Sequence, residues 1–322
     1  MKGVRFHEQG APDVLRYEEL PDPEPGEGEA LIKLSAIGVN FIDTYRRSGA
    51  YPVDLPDLPG SEGAGEVVAL GPGAGGVAVG DRVMVSGGRG TYAELVVASA
   101  DRLVVLPDGY DEVTAAALPI QAMTAHFLVH SAYPLSRGDT CLVHAGAGGV
   151  GLLLIQMAKM RGTHVITTVS TKGKAALARE AGADDVIVYT TEDFVAAVKR
   201  ITNGAMLPVV YDAVGKTTFD GSLDCLHPRG LLILYGQASG AVPPLDPQVL
   251  NAKGSLFLTR PNLGDYTLTP KEFAWRSGDV IAWAGSGKLK VRIGERFPLA
   301  EAAEAHRRLE GRLTTGKVIL LP

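Results

Sequence analysis

From Val4 to about Val105, apolar residues come in short runs broken by polar clusters. Ala30-Leu31-Ile32-Lys33-Leu34, Ala64 to Leu70, Asp81-Arg82-Val83-Met84-Val85 and Ala93 to Ala98 each read as a strand, and Gly/Pro clusters at Pro21 to Gly28 and Gly71 to Gly76 separate them. This texture predicts an antiparallel, barrel-like domain. After Asp108 an Ala-rich helical stretch runs from Glu112 through Val129, and apolar strands then alternate with amphipathic helices. The strands are Thr140 to His144, His164 to Val169, Val186 to Tyr189, Val209 to Asp212, Leu231 to Tyr235 and Ser255 to Thr259. Leu152 to Met160, Lys174 to Ala181 and Phe194 to Ile201 read as crossover helices. Strands linked by helical crossovers predict a doubly wound parallel sheet. From about Thr269 the pattern predicts helices at Glu272 to Ala284 and Leu299 to Leu309 and a closing strand at Lys317 to Leu321, returning to the first domain. The expected organisation is 1–121, 122–266, and a return segment 267–322.

A chain of 322 residues exceeds what one core usually supports, which agrees with two domains. Forty glycines are consistent with many tight turns. The net charge of -5 weighs against a protein that binds nucleic acid through excess Lys and Arg. Cys141 and Cys225 are too few for a disulfide scaffold and suggest a reducing cytoplasm. Met1 to Leu20 scatters Arg5, His7, Glu8, Asp13 and Glu18 among its apolar residues, so neither a signal peptide nor a membrane role is expected.

The strongest local signal is His144-Ala145-Gly146-Ala147-Gly148-Gly149-Val150-Gly151, a G-x-G-x-x-G between an apolar strand and a helix. Gly146 permits the tight turn, Gly148 lets backbone approach a pyrophosphate, and Gly151 lets helix pack on strand. The bland alternative is an ordinary glycine-rich turn. NAD enzymes normally end the second strand with Asp or Glu to bind the ribose hydroxyls. Here that place reads Val169-Ser170-Thr171-Lys172-Gly173-Lys174. Ser170 can hydrogen-bond a 2′-phosphate and Lys172 or Lys174 can neutralise it, so NADPH is expected rather than NADH.

The two cysteines cannot supply a structural zinc lobe. His126 and His130 are spaced i, i+4 but lack nearby carboxylates in sequence, and there is no G-x-S-x-G elbow. No metal and no covalent nucleophile are expected.

Gly38-Val39-Asn40-Phe41-Ile42-Asp43 and Gly60-Ser61-Glu62-Gly63-Ala64-Gly65 resemble the active-site segments of medium-chain dehydrogenases/reductases. Zinc alcohol dehydrogenases of that superfamily carry a cysteine and a histidine ligand in these segments, where this chain has Asn40 and Ser61. With Tyr45, Arg46-Arg47-Ser48-Gly49, Tyr51-Pro52 and Thr259-Arg260-Pro261, the chain resembles the zinc-free quinone oxidoreductases of the zeta-crystallin type. That resemblance implies an α/β protein: a GroES-like β-barrel catalytic domain beside a Rossmann doubly wound parallel sheet, homodimeric through the latter, with NADPH in the cleft. It also implies cofactor contacts at Phe41, Ile42, Asp43, Thr44, Tyr45, Thr124, Gly148, Gly149, Val150, Ser170, Lys174, Tyr189, Gly236, Gln237, Ala238, Ser239, Leu258, Thr259, Arg260 and Arg312, beside Gly146 and Gly151 of the loop. Asn40, Tyr45 and Tyr51 would line the acceptor pocket and orient a quinone; the two tyrosines could equally be loop residues packed at the domain edge. Two other functions remain open: reduction of an enal, enone or 2-enoyl thioester, and a non-enzymatic crystallin-like or RNA-binding role for the NADPH-bound protein.

Overall fold

A computed structural model of the chain describes every residue except Gly88. In chain order, β1 (Lys2–Arg5) and β2 (Arg16–Glu19) form an antiparallel pair, β3 (Glu29–Val39) runs into α1 (Phe41–Ser48), and β4 (Glu62–Leu70), β5 (Arg82–Ser86), β6 (Leu95–Ser99) and β7 (Leu103–Val105) follow. Then come α2 (Glu112–Ala116), α3 (Pro119–Phe127), β8 (Thr140–Val143), α4 (Gly149–Met160), β9 (His164–Val169), α5 (Lys172–Glu180), β10 (Asp185–Val188) and α6 (Phe194–Ile201). They are followed by β11 (Leu207–Asp212), α7 (Phe219–Asp224), β12 (Leu226–Leu234), α8 (Gln248–Ala252) and β13 (Phe257–Thr259). The chain closes with α9 (Pro270–Gly285), β14 (Ile293–Pro298), α10 (Ala302–Glu310) and β15 (Lys317–Leu321). It divides into two compact units, Met1–Met123 with Thr267–Pro322, and Thr124–Tyr266.

The first unit is built on a sheet of order β14-β15-β3-β4-β5-β7, with β6 pairing β3. Strand β3 organises it. Its first half pairs β6 through Glu29 to Lys33, while Ile37 to Val39 pair β15, so the last strand of the chain lies against the end of β3. Ala30, Ile32, Leu34 and Ala36 point into the core while Lys33 and Ser35 point out, the period-2 alternation of a sheet with one wet face. Phe6, Ile32, Ile37, Val83, Tyr92 and Leu320 belong to the core they form.

The second unit is a six-stranded, wholly parallel sheet of order β10-β9-β8-β11-β12-β13. Central strands covered on both faces must be apolar throughout, and Cys141-Leu142-Val143 and Val209-Val210-Tyr211 are wholly buried. The order reverses between β8 and β11, so the loops at their carboxyl ends flank the crevice where such sheets bind ligands.

Two readings of the pattern differ from the structure. The helical stretch expected from Glu112 through Val129 is interrupted, because Pro119 has no amide to donate and disfavours helical backbone before it; Pro119 opens α3, which passes at Leu128 into a π-helical turn, Leu128–Ala132. Helix α1 replaces what reads in sequence as part of the strand-rich segment, and it has the signals of a short helix. Asp43 accepts from the Asn40 amide at 2.8 Å, Arg46 and Arg47 sit in the last turn, and Gly49 closes it at φ 86°.

Candidate active site

In the second unit, β8 hands the chain to the glycine loop. The His144 amide donates to Tyr211 O (3.0 Å) and that of Gly146 to Thr168 O (3.0 Å), tying the loop to β11 and β9. Gly148 caps α4 without any side-chain cap bond, and Gly148 to Val150 are partly exposed. The first amides of the helix therefore point outward with the positive end of its dipole. A Cβ on Gly146 would lie 2.0 Å from Thr167 Oγ1, and one on Gly151 2.3 Å from Ala145 O, so both glycines are demanded by their own neighbours. Gly148 differs. Its φ is -77°, and an added Cβ would meet only Ala145 O, at 3.2 Å. The protein's own packing constrains Gly148 less than Gly146 or Gly151, with one tight contact to a backbone oxygen, and the outward amides beside it are open to an anion. The loop fits a dinucleotide pyrophosphate.

Beneath the loop lies a buried polar chain that the sequence reading missed. His144 Nδ1 is 2.8 Å from Thr168 Oγ1 and Nε2 is 3.0 Å from Ser222 Oγ, which donates to Asp212 Oδ2 at 2.8 Å. Since the carboxylate only accepts, Ser222 accepts from Nε2–H and Nδ1 accepts from Thr168; the bond pattern assigns the tautomer. Burial lowers the His144 pKa against the raising effect of Asp212, keeping the ring neutral. Asp212 also receives the amides of Val214 and Gly215 and the Thr218 hydroxyl. The chain clamps the carboxyl ends of β8, β9 and β11 together.

Ser170 follows β9, Thr171 caps α5 by accepting from the Lys174 amide (3.2 Å), and Tyr189 donates its amide to Val169 O (3.1 Å). Ser170, Lys174 and Tyr189 are thereby brought to the ends of adjacent strands, with Tyr189 41% exposed. Gly236 to Ser239 follow β12 and pack on 213–214: the amides of Ala238 and Ser239 donate to Ala213 O and Val214 O. Leu258 and Thr259 end β13 and Arg260 follows it, while partly buried Thr124 lies in α3. All of these belong to the second unit. Arg312 belongs to the first, exposed at φ 57° after α10.

In the first unit, α1 carries the remaining residues. Tyr45 and Tyr51 meet edge to face at 5.4 Å, and the Tyr51 amide donates to Tyr45 O (3.0 Å); Phe41 lies 6.0 Å from Tyr45. These three are partly exposed and share one end of the helix surface. Asp43 and Thr44 turn inward, Thr44 Oγ1 donating to Phe41 O (2.8 Å), so their side chains are engaged within the unit and Ile42 stays partly exposed. Asn40, which the resemblance puts at the acceptor pocket, is a buried side chain. It is 4% exposed, its Nδ2 donates to Glu62 Oε1 (2.5 Å), and its Oδ1 accepts from Lys317 Nζ (2.9 Å) and Gln121 (3.3 Å). Lys317 also pairs with Glu62, whose second oxygen accepts the Ile120 amide at 2.6 Å. Both ions are almost wholly buried. Sequence alone had no signal for this cluster, since Asn40 and Lys317 lie at opposite ends of the chain.

Behind α1, the Tyr92 hydroxyl bridges Asp43 Oδ2 (3.3 Å) and His306 Nε2 (3.0 Å), all buried. Burial raises the Asp43 carboxyl to about 6, against the Asn40 amide and the charges of Arg46 and Lys317. Burial, helped by Arg47, lowers His306 to about 3. The signs oppose. Asp43 contributes stability that is present below the unfolded value, about 3.9, and is lost as pH rises through about 6; the His306 contribution is present above about 6.5 and lost as pH falls toward 3. Asp43→Asn removes only the first. That variant is expected to lose stability more steeply than the parent between about pH 6.5 and 4, followed by urea unfolding at successive pH values. Parallel profiles for the two proteins would refute this.

The family model described as "Zinc-binding dehydrogenase" matches residues 149–266, and "Alcohol dehydrogenase GroES-like domain" matches 26–108. A "Quinone oxidoreductase" of Pseudomonas aeruginosa is 46% identical, covering 100% of this chain and 99% of that protein. The chain belongs to the quinone oxidoreductase family. Among solved structures, the Escherichia coli quinone oxidoreductase complexed with NADPH superposes with TM-score 0.98 at 40% identity, covering 100% of both chains. A mycobacterial protein complexed with NADPH gives 0.97 at 50%, also over 100% of both. The quinone oxidoreductases belong to the medium-chain dehydrogenase/reductase superfamily, so the first unit is its GroES-like domain and the second its Rossmann domain.

One family-model description mentions zinc, and the donor chemistry at Asn40 and Ser61 does not fit it. The Lys317 ammonium occupies Asn40 Oδ1, and the Arg46 guanidinium donates to Ser61 Oγ at 3.1 Å. Cations stand where a metal would need electron pairs. Both cysteines are buried in the second unit, where burial raises their thiols. Among the described residues no three His, Cys, Asp or Glu side chains cluster to hold a metal ion.

Proposed function

We propose that this quinone oxidoreductase reduces a quinone to the hydroquinone with NADPH. When bound, NADPH supplies the hydride; solvent supplies the proton that completes the hydroquinone. The observation that carries the reading is Gly148, left open over outward helix amides with Ser170, Lys174 and Tyr189 at the neighbouring strand ends. Gly146 to Gly151 hold the pyrophosphate. Ser170, Lys174 and Tyr189 hold the 2′-phosphate, and Gly236 to Ser239, Leu258 to Arg260 and Thr124 complete the binding surface of the second unit; on the first unit Arg312 is a further cofactor contact. The NADPH complexes of the two superposed relatives support this assignment.

On the first unit, Phe41 to Tyr45 contact the cofactor, and Tyr45 and Tyr51 line the acceptor site and hydrogen-bond its oxygens. Asn40 acts as a positioning residue, holding the start of α1 against Glu62 and Lys317. The two buried cysteines agree with a cytoplasmic location. No described helix is long and apolar enough to cross a membrane. The edge strand β13, with Phe257 60% exposed, is the surface for a homodimer.

The test is nicotinamide oxidation with benzoquinone, comparing NADPH with NADH and adding a chelator as control. Turnover with NADPH, little with NADH and no loss on chelation support the reading; NADPH binding without quinone turnover overturns it. In the same assay Tyr51→Phe is expected to lower kcat/KM about tenfold, whereas unchanged turnover would make Tyr51 a packing residue.

A further inference from the structure

We propose that Arg46 is a catalytic residue, its guanidinium binding the acceptor oxygen that becomes negative as hydride arrives. This rests on the quinone reductase reading and adds to it the group that stabilises the product charge.

Arg46 follows Tyr45 in α1, the helix whose Tyr45 meets Tyr51 edge to face. It is partly exposed and anchored at one point, Nη1 donating to Ser61 Oγ at 3.1 Å, and Ser61 itself is only 6% exposed. Next to Ser61 stands Glu62, immobilised by Lys317, Asn40 and the Ile120 amide. The guanidinium is thus pinned at one end to a rigid wall.

Arg47 pairs with Glu310, Arg89 with Asp57 and Lys317 with Glu62. Arg46 forms no ion pair among the described residues. The two carboxylates that feel its charge each have one oxygen bonded elsewhere, Asp43 Oδ2 to the Asn40 amide and Tyr92 and Asp57 Oδ1 to Arg89, and one buried oxygen that bonds nothing among the described residues; neither pairs directly with Arg46. One of five N–H donors is used on Ser61, and among the described residues the others meet no acceptor. A partly buried, anchored cation with its fork open is arranged to receive an anion.

The reaction makes one. A hydride brings two electrons and no charge compensation, so the quinone becomes the hydroquinone monoanion before a solvent proton neutralises it. A guanidinium at the reacting oxygen is already charged and oriented, and stabilises that oxyanion without reorganising.

The wild type is assayed first. Absence of quinone turnover there defeats the functional reading itself, and the Arg46 comparison applies once turnover is seen. Arg46→Met is expected to lower kcat/KM for benzoquinone on the order of a hundredfold, with the NADPH dissociation constant within about twofold of the parent. Added ethylguanidine should restore part of the lost rate. The loss should be steepest for quinones with electron-donating substituents, whose hydroquinone oxygens most need stabilisation. Turnover within about threefold of the parent overturns the proposal, as does a loss of NADPH affinity equal to the loss in rate, which would make Arg46 a cofactor ligand. Should Arg46→Met melt early, Ser61→Ala decides, because it removes only the anchor. A several-fold fall in kcat with unchanged NADPH affinity supports the role of the guanidinium; undiminished kcat overturns it.

Discussion

Lys317→Met is expected to destabilise the protein by about 3–5 kcal/mol, because it strips the counter-ion from a carboxylate that is wholly buried. Glu62 is 0% exposed and Lys317 1%, so water cannot replace either partner. With Lys317 gone, Asn40 Nδ2 and the Ile120 amide still reach Glu62, but both are neutral donors against a full charge. Asn40 Oδ1 loses its closer donor as well. Glu62→Gln alone leaves an ammonium buried without its anion and should also destabilise. The double variant removes both charges and is expected to recover most of the loss, as buried pairs replaced together often do. Urea unfolding of the four proteins gives the coupling. If the single losses simply add in the double variant, the pair is not the unit described here. The buried pair also has a functional readout: Asn40 starts the helix that carries Phe41, Tyr45 and Arg46, so the refolded double variant should bind NADPH but turn over quinone more slowly.

Gly148→Ala separates binding from folding. The new Cβ would stand 3.2 Å from Ala145 O and near nothing else in the protein, and φ at this position suits any residue. The thermal midpoint should stay close to that of the parent. NADPH affinity should fall at least about tenfold, or roughly 1.4 kcal/mol, because the methyl group projects where the pyrophosphate must approach the outward amides. Gly151→Ala is the contrasting variant, since its Cβ would lie 2.3 Å from Ala145 O and 2.9 Å from Gly146 Cα, forcing α4 off its strand. It should lose stability and affinity together. Fluorescence titration with NADPH and thermal unfolding of both variants check this. Undisturbed affinity in Gly148→Ala would remove the pyrophosphate from the loop.

The sequence by itself determined the elements whose signal is local. Strand β9, helix α6 and strand β15 span the residues their periodicity predicts. The glycine loop, its strand and its helix were legible because each glycine has a separate steric or binding reason that spacing alone conveys. The missing acid after β9 pointed to NADPH for the same reason. Even α1 could have been found from Asn40, Asp43, Arg46, Arg47 and Gly49, a complete set of caps on a helix too short to show a long apolar stripe.

Only the tertiary structure decided what the polar residues inside the protein do. Asn40 reads in sequence as a residue facing the acceptor; in the fold it is held by Lys317 from the opposite end of the chain and by Glu62 from the next strand. His144 reads as a flank of the loop and proves to be the middle of a buried chain from Thr168 to Asp212. That Arg46 forms no ion pair among the described residues is invisible until the fold shows which cation each nearby carboxylate meets. Periodicity records which face of an element is buried, a property of each segment. Pairing of buried charges depends on which segments the sheets bring side by side, and β15 meets β3 only after the whole second unit has been traversed.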